Sequence, residues 1–401
     1  MSRVLSTIRP STPAGAKLFF TLLNKIRHGH LELITPDGAR MVFGDAHEQT
    51  GATLKLHSWE ACQRILRSGD IGFAEAYGAG LVDTPDLTAL LRLALRNEAT
   101  LHQLLFGNLV ARFWYRLRHW LRPNTRKGSR RNIHAHYDIG NDFYRLWLDP
   151  SWTYSSALFD GDYSQTLQYG QQRKYQRIID TLKLRAGARV LEIGCGWGGF
   201  AEHAAQQGIH VHGVTISPSQ LDIAQRRVQA LNLHDQVQLE LRDYRDLTGQ
   251  YDAIVSIEMF EAVGEQYWSQ YFKTVAARLK NGGQALIQSI TIDEQFFARY
   301  RSSTDFIQQY IFPGGMLPSI ERFEQQAASA GLQTSQRHAF GHDYAETLRR
   351  WDVQYKAARQ HITSLGFDER FMRIWQMYFA YCEAAFDEKR TDVVQFLLHK
   401  S

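Results

Sequence analysis

The sequence has few cysteines and no long apolar run. Cys62, Cys195 and Cys382 stand far apart in 401 residues and form no C-x-x-C pair, which excludes a disulfide framework and favours a reducing compartment. No apolar stretch approaches the roughly 18 residues that a transmembrane helix needs, and the N-terminal residues lack the apolar core of a signal peptide. We therefore expect a cytoplasmic protein that does not span a membrane.

Acidic residues are absent between positions 99 and 137. Leucine and aromatic residues recur at helical spacing there, which predicts a basic amphipathic helix. Two interpretations remain open: a core-facing helix with a solvated arginine face, or an element that binds anionic lipid headgroups at the inner membrane face. No nucleic-acid motif accompanies the basic residues, so nucleic acid is not an expected partner. The basic residues are Arg112, Arg116, Arg118, Arg122, Arg126, Lys127, Arg130 and Arg131.

Strands and helices alternate in the second half of the chain. The stretches "ARVLEIG", "HVHGVTI", "QVQLEL", "YDAIVSI" and "GGQALIQSI" predict strands, with helical stretches between them. This alternation predicts an α/β fold with a doubly wound parallel sheet. The polar, basic "PNTRKGSRR" marks a boundary, and before it we predict a smaller, mainly helical domain with a β-hairpin at a Pro-Asp-Gly turn. The predicted division is residues 1–122, a linker over 123–133 and a catalytic domain over 134–401.

A glycine cluster, "VLEIGCGWGGF" at 190–200, indicates a nucleotide-type ligand. Gly194, Gly196 and Gly199 match the dinucleotide fingerprint G-x-G-x-x-G. However, the second strand ends in "GVTIS" without the carboxylate that would bind a dinucleotide ribose, and there is no Walker lysine. With Glu192 directly before it, the loop resembles the S-adenosylmethionine loop of class I methyltransferases.

Six further stretches occur in order: "HAHYDIGNDFYRLWLDPSWTYSSALF", "GVTISPSQ", "LRDYRDL", "MFEAVG", "YIFPGGMLPS" and "FGHDYAETLRRW". Together they resemble the cyclopropane fatty acid synthase family, which includes the mycolic acid cyclopropane synthases. The resemblance runs from about residue 132 to the C-terminus, and "GDIGFAEAYGAGLVDTPDL" at 69–87 extends it more loosely into the N-terminal domain of the bacterial members.

The resemblance implies a Rossmann-like class I methyltransferase with a lid insertion at about 290–318, and a homodimer. It also implies transfer of a methyl group from S-adenosylmethionine to a cis double bond of an unsaturated phospholipid acyl chain, by a peripheral membrane enzyme. The cofactor contacts that it assigns are Tyr154, Ser155, Val190, Leu191, Glu192, Ile193, Gly194, Cys195, Gly196, Trp197, Gly198, Thr215, Ile216, Gln220, Tyr244 and Arg245.

Ring closure requires a base that removes a proton from the newly added methyl group. In the family a bound bicarbonate is taken to be this base, and the matching positions here are Ser156, Glu261, Gln288, Ile290 and Tyr344. Ser156 and Gln288 stand where the family has cysteine and histidine, and a glutamine cannot relay a proton. A weakened base would let the cation migrate by a hydride shift and then lose another proton, which gives a methylene- or methyl-branched chain.

Other candidate residues carry less specific signals. Cys382 matches a cysteine sometimes nominated as catalytic in the family, although the chemistry needs no thiol. His134 and His136 have a metal-like spacing without a third ligand cluster, so no metal is expected. The aromatic stretch at 294–318 is predicted to be a lid and acyl-tunnel wall, or else to pack on the C-terminal helices. The alternative functions are a small-molecule methyltransferase and a non-catalytic lipid- or RNA-binding protein.

Overall fold

The computed structural model describes residues 12–106 and 139–400, which divide into two compact units. The larger unit contains residues 139–301, 312–355 and 389–400, and the smaller contains 12–106, 302–311 and 356–388. This differs from the predicted linear division, because two segments from the second half of the chain pack with the N-terminal residues. Part of the predicted lid, residues 302–311, therefore belongs to the smaller unit.

The smaller unit contains a four-stranded sheet with the order β2-β1-β3-β4. Its strands are β1 (His30–Ile34), β2 (Arg40–Gly44), β3 (Gly51–Leu56) and β4 (Val82–Asp83), and its first helices are α1 (Ala14–Leu23), α2 (Glu60–Gly78), α3 (Leu87–Arg96) and α4 (Glu98–Phe106). The predicted hairpin is formed by β1 and β2, which pair antiparallel. The sequence pattern did not predict β3 and β4, which extend the hairpin into a sheet.

The larger unit contains a seven-stranded sheet with the order β10-β11-β9-β8-β5-β6-β7. Its strands are β5 (Arg189–Ile193), β6 (His210–Thr215), β7 (Val237–Leu241), β8 (Tyr251–Ile257), β9 (Leu279–Ile292), β10 (Leu332–Ala339) and β11 (Thr391–Lys400). The five strands from β5 to β9 pair in parallel and correspond to the five that the sequence predicts. The predicted doubly wound α/β fold is therefore confirmed.

Helices follow the strands as the alternation predicts. Those after the gap in the described chain are α5 (Asn141–Arg145), α6 (Leu167–Thr181), α7 (Gly199–Ala205), α8 (Pro218–Ala230), α9 (Trp268–Arg278), α10 (Glu294–Arg301), α11 (Ile320–Ala328), α12 (Gly341–Ala357), α13 (Arg359–Ser364) and α14 (Glu369–Asp387). The start of α8 shows the sequence signal directly, because the Ser217 hydroxyl accepts a hydrogen bond from the Gln220 amide and Pro218 occupies the first turn.

The core of the larger unit lies on both faces of its sheet. Adjacent residues of β5 show this, since Val190 packs in one apolar cluster with Phe200 while Leu191 packs in the other with Phe260. Successive side chains of a strand point to opposite faces, so a strand that is apolar at every position is buried on both sides.

Two antiparallel strands, β10 and β11, complete the sheet beyond β9 and were not predicted. β10 is mostly polar because it is an edge strand whose side chains are largely exposed. β11 lies between β10 and β9, and its register places Gln395 opposite Gln288. This pairing brings a polar residue from the end of the chain into the buried part of the sheet.

Several predicted features fall outside the described residues. The eight basic residues between positions 99 and 137, the linker at 123–133 and both His134 and His136 are among them. Over 12–106 and 139–400, no helix has the length and apolarity to cross a bilayer. Within the same ranges, no three histidine, cysteine, aspartate or glutamate side chains are grouped in a way that could hold a metal ion.

Candidate active site

The larger sheet changes winding direction beside β5. This strand pairs in parallel with β6 on one side and with β8 on the other, so the chain winds outward to β7 and then returns to β8. Open α/β sheets bind ligands at the carboxyl ends of the strands at such a switch point. The glycine loop follows β5 and Glu258 follows β8, so both lie at this edge.

The backbone of the loop after β5 requires glycine. Gly194 has φ of 86° and Gly198 has φ of 83°, a region that L-residues rarely adopt. A Cβ atom at Gly194 would also lie 2.7 Å from the Met259 side chain, whereas one at Gly196 would meet nothing within 4 Å. The amides of Gly194 and Cys195 both donate to the Val214 carbonyl, which fixes the loop against β6. The glycines thus hold a tight turn and leave space at Gly196.

Glu192 is a buried acid with an unsatisfied oxygen. It is 3% exposed, and its Oε2 has no hydrogen-bond partner in the described part of the chain. Burial raises the pKa of Glu192 to about 8, and the charge of Lys174 opposes this. Buried polar atoms are almost always paired, so an orphaned carboxyl oxygen beside a ligand loop points to a ligand donor. The residues present therefore fit S-adenosylmethionine, whose amino-acid end carries an ammonium group.

The remaining predicted cofactor residues follow the neighbouring strands. At the end of β6, Thr215 donates from Oγ1 to Gln220 Oε1 at 3.2 Å, and Ile216 follows it. After β7, Arg245 forms a bidentate pair with Asp243 at 2.8 and 2.6 Å, and its guanidinium lies 5.7 Å from the Tyr244 ring centroid. The structure thus brings these residues to the same sheet edge as the glycine loop.

An aromatic cluster extends from the glycine loop to the predicted contact Tyr154. The Trp197 ring lies 5.2 Å from Tyr144, and Tyr144 lies 5.5 Å from Tyr154. The centroid of the Tyr154 ring also lies 5.4 Å from that of Trp351 and 6.4 Å from that of Phe312. We call these residues, together with Trp147 and Trp152, the aromatic wall.

Ser155 contacts a buried lysine instead of standing open. Lys174 Nζ donates to Ser155 Oγ at 2.5 Å and to Gln171 Oε1 at 2.7 Å. Burial lowers the pKa of Lys174 to about 7, and the charges of Glu258 and then Asp149 and Glu192 oppose this. Lys174 is therefore a buried, titratable cation whose charge interacts with the carboxylates of Glu258 and Glu192.

Glu258 is the central acidic residue of the site, and sequence reasoning missed it. Its Oε1 accepts hydrogen bonds from the Ser156 amide at 2.9 Å and from Gln288 Nε2 at 2.7 Å. Its Oε2 accepts one from the Tyr344 phenol at 2.6 Å. The backbone of Glu258 has φ of 49°, which is uncommon for a residue with a side chain. Three predicted site residues therefore converge on an acid that was not predicted.

Polar contacts behind Gln288 orient its amide. Gln395 donates from Nε2 to Gln288 Oε1 at 3.0 Å, so the Gln288 amide nitrogen faces Glu258. Arg177 in turn donates to Gln395 Oε1 at 3.1 Å. Both glutamines are buried, at 0% and 2% exposed, so a reversed amide would leave unpaired polar atoms. Arg177 and Gln395 are thus positioning residues for Glu258.

Glu261, three residues after Glu258, is hydrogen-bonded to the backbone of Ile290. The Ile290 amide donates to Glu261 Oε1 at 2.5 Å, and Glu261 Oε2 has no partner among the described residues. Burial, followed by the charge of Glu258, raises the pKa of Glu261 to about 8. Burial also raises the pKa of Glu258, but the charge of Lys174 and the Tyr344, Ser156 and Gln288 hydrogen bonds oppose it. Glu258 thus has a cation and three donors that favour its charged form, whereas the pKa of Glu261, at about 8, favours its protonated form at neutral pH.

The residues present do not fit a bound bicarbonate. The Ser156 amide, Gln288 and Tyr344 all donate to Glu258, and the Ile290 amide donates to Glu261. Every donor that the resemblance assigns to bicarbonate is thus already paired with a carboxylate of the chain.

Cys382 and part of the predicted lid belong to the smaller unit, whereas the site residues described above belong to the larger unit. Cys382 lies in α14 of the smaller unit, where burial and then the charge of Asp305 raise the pKa of its thiol, which keeps it protonated. Phe306 and Tyr310 also lie in that unit. In the larger unit, Met316 donates its amide to the Glu261 carbonyl at 2.9 Å, so the end of the predicted lid contacts the site.

A sequence signal for Glu258 existed in "SIEMFEAVG". Two glutamates follow the same strand three residues apart, and only the second matches the family motif. A short 3₁₀ helix, Phe260–Ala262, turns the chain there, and both acids face the sheet edge. Lys174, Arg177 and Gln395 carried no comparable signal, because they reach the site through packing and strand register.

Comparisons with known proteins place this chain among lipid-modifying relatives. A family model described as mycolic acid cyclopropane synthetase matches residues 124–396. The tuberculostearic acid methyltransferase UfaA1 of Mycobacterium tuberculosis is 37% identical over 97% of this chain and 92% of its own length. The cyclopropane-fatty-acyl-phospholipid synthase of Escherichia coli K12 is 34% identical over 84% of this chain and 84% of its own.

A solved structure has a similar fold over about two thirds of this chain. The mycolic acid cyclopropane synthase CmaA1, complexed with SAH and CTAB, superposes with a TM-score of 0.63 at 31% identity, over 68% of this chain and 98% of its own. The predicted Rossmann-like class I methyltransferase fold and the resemblance drawn from the six sequence stretches are thereby confirmed.

Proposed function

This chain belongs to the mycolic acid cyclopropane synthetase family of S-adenosylmethionine-dependent methyltransferases, and we propose that it methylates the cis double bond of an unsaturated phospholipid acyl chain. The names of its relatives support a fatty acyl substrate, since one is a cyclopropane-fatty-acyl-phospholipid synthase and another a tuberculostearic acid methyltransferase. The E. coli relative supports a phospholipid as the carrier of the chain.

The aromatic wall carries this proposal. An isolated alkene is a weak nucleophile, and its methylation leaves a carbocation on the acyl chain. Aromatic faces stabilise cations and also line apolar ligand sites. The wall begins at Trp197 in the glycine loop and continues through Tyr144 to Tyr154, two residues before Ser156, whose amide donates to Glu258.

The residues of the chain divide the chemistry between them. When bound, S-adenosylmethionine supplies a methyl group: the π pair of the alkene forms the new carbon–carbon bond, and the sulfur keeps the pair of the broken bond. Glu192 and the glycine loop hold the amino-acid end, while the aromatic wall excludes water and stabilises positive charge. Loss of a proton from the added methyl group then closes a cyclopropane ring.

Non-cyclising methylation is the second candidate. It is favoured by the 37% identity to tuberculostearic acid methyltransferase over nearly the whole chain. It is also favoured by Gln288, which cannot relay a proton where the family pattern has histidine. In that case the cation migrates along the chain before the proton leaves, and the product is branched.

The decisive experiment uses S-adenosylmethionine with a fully deuterated methyl group and vesicles of a monounsaturated phospholipid. Ring closure and methylene formation both retain two of the three deuterium atoms, whereas loss of a chain proton retains all three. Deuterium NMR then distinguishes the labelled carbon of a cyclopropane from that of a methylene group. No label in the lipid would refute the proposed substrate and favour a small-molecule methyltransferase.

We also propose that the enzyme binds anionic membranes through the basic residues from Arg112 to Arg131, as a homodimer. Each Lys or Arg near an anionic surface contributes about 1 kcal/mol. Replacing Arg126, Lys127, Arg130 and Arg131 by glutamine should therefore abolish co-sedimentation with phosphatidylglycerol vesicles at moderate salt. Unchanged binding by this variant would contradict the assignment.

A further inference from the structure

We propose that the carboxylate of Glu258 occupies the anion position that the family resemblance gives to bicarbonate, and that Glu258 is the base that receives the proton in the last step. The position follows from the structure, whereas the role as base rests on the proposed function. Turnover by this chain would then need no bicarbonate.

The donor set supports this placement. A glutamate carboxylate and a bicarbonate are both planar anions whose oxygens accept hydrogen bonds in the same plane. Oε1 of Glu258 accepts from the Ser156 amide and Gln288, and Oε2 accepts from Tyr344. A carboxylate has about four acceptor positions, so three donors hold it while one position on Oε2 stays able to take a proton.

The backbone supports a specific role for this side chain. Glu258 adopts φ of 49°, in the left-handed region that favours glycine. Residues held in sparsely populated conformations cluster at functional sites, where the surrounding structure compensates the strain. Here the compensation is visible, because the Glu258 amide donates to the Gln288 carbonyl at 2.8 Å while its side chain receives the Gln288 amide. Gln288 of β9 thus binds both the backbone amide and the side-chain carboxylate of Glu258.

The donors around Glu258 are oriented so that they favour an anion at this position. The chain of contacts from Arg177 through Gln395 fixes the Gln288 nitrogen toward Glu258. Burial and the nearby Glu258 charge keep a proton on Glu261, which reduces repulsion between the two acids. Three hydrogen-bond donors and the charge of Lys174 favour the ionised form of Glu258 against its burial, whereas Glu261 accepts from the Ile290 amide and has no such cation beside it among the described residues.

The proposed step balances. After methyl transfer, the acyl chain carries a positive charge next to the carbon that received the methyl group. The Glu258 carboxylate takes a proton from that methyl group, and the carbon–hydrogen bonding pair forms the third side of the ring. The chain becomes neutral and Glu258 becomes a carboxylic acid, which releases its proton to solvent before the next turnover. No oxidant or reductant is required.

The first test measures anion binding and needs no lipid. Carbon-13 bicarbonate is titrated, with S-adenosylhomocysteine present, into the wild type, Glu258→Gly and Glu258→Gln, and binding is followed by NMR and calorimetry. We expect binding only to Glu258→Gly, because this change removes the resident carboxylate and suits the backbone conformation. Saturable binding to the wild type that is lost in Tyr344→Phe would overturn the proposed position, as would failure of a correctly folded Glu258→Gly to bind.

The second test measures methyl transfer in buffer freed of carbon dioxide, with and without added bicarbonate. We expect wild-type turnover to be independent of bicarbonate, Glu258→Gln to lose about 100-fold or more, and Glu258→Gly to be inactive until bicarbonate restores it. Glu265→Gln removes a surface acid paired with Arg301 and should behave as wild type. Bicarbonate-dependent wild-type turnover, or full activity of Glu258→Gln, would refute the role as base.

The two tests separate this inference from the proposed function. If the wild type methylates no lipid, the proposed function and the role as base fail together, while the binding test still decides whether Glu258 holds the anion position. If the wild type methylates lipid and Glu258→Gln does so equally well, the proposed function stands and only the base assignment fails.

Discussion

Replacing Tyr344 by phenylalanine removes one of the three donors to Glu258 and leaves the packing intact. The ring is buried and stands edge-on to Trp351 with centroids 6.1 Å apart, a contact that phenylalanine keeps. The phenol oxygen lies 2.6 Å from Glu258 Oε2, a length typical of a hydrogen bond to an ionised acceptor.

The size of the effect follows from that bond. A hydrogen bond to a charged group contributes about 1.5–3 kcal/mol, and about 1.4 kcal/mol corresponds to one pKa unit. The phenol stabilises the charged form of Glu258, so its loss raises the pKa of this acid by the amount that corresponds to that bond energy. The carboxylate is then protonated at higher pH, and the acid limb of the pH–rate profile moves toward alkaline pH by the same amount.

The assay is kcat/KM for methyl transfer from labelled S-adenosylmethionine to unsaturated phospholipid vesicles, measured across the neutral range. Tyr251→Phe is the matched control, because it removes a phenol that pairs with His212 at 2.6 Å elsewhere in the same unit. We expect an unshifted acid limb for the control and a shifted one for Tyr344→Phe. A uniform loss of activity at every pH, with the acid limb in place, would show that the phenol does not act on the ionisation of Glu258.

Three further changes test the cofactor loop and the buried contacts. Burial raises the pKa of Glu192 to about 8 from 4.5, so the unfolded chain binds fewer protons between these values and the apoprotein loses stability as pH rises through them. Glu192→Gln should remove that part of the slope in thermal denaturation, and should weaken S-adenosylhomocysteine binding in calorimetry. Gly194→Ala should destabilise the protein by more than the about 1–2 kcal/mol of backbone strain, because the added Cβ would also clash with Met259. Gly196→Ala should destabilise it less, because its Cβ would meet nothing within 4 Å. Equal melting temperatures of the two variants would contradict this. Gln395→Leu should cost about 1–3 kcal/mol in urea unfolding, since it leaves a buried amide oxygen on the adjacent strand without its donor, and no measurable loss would show that the contact is dispensable.

The parts of the fold that local pattern specifies were predictable. β5, β6 and β8 are short apolar runs between glycine or polar turns, and each appears where the pattern places it. β10 and β11 were not predictable in the same way. β10 is a polar edge strand, and the residues of β11 pair antiparallel with residues of β9 that lie 99 to 115 positions earlier. Their partners are set by tertiary packing and not by periodicity.

The sequence by itself determined the family, the parallel sheet and the glycine loop, because each depends on residues that are close together in the chain. It also supplied Ser156, Gln288 and Tyr344 as site residues, through the resemblance. Only the tertiary structure decided what these donors hold. They lie 102, 30 and 86 positions from Glu258. They meet it because β9 pairs with the end of β8 at Gln288, and because the start of α12 and the segment before α6 lie beside that point. A hydrogen bond depends on distance in space, so the acid at its centre could be identified only once the chain had folded.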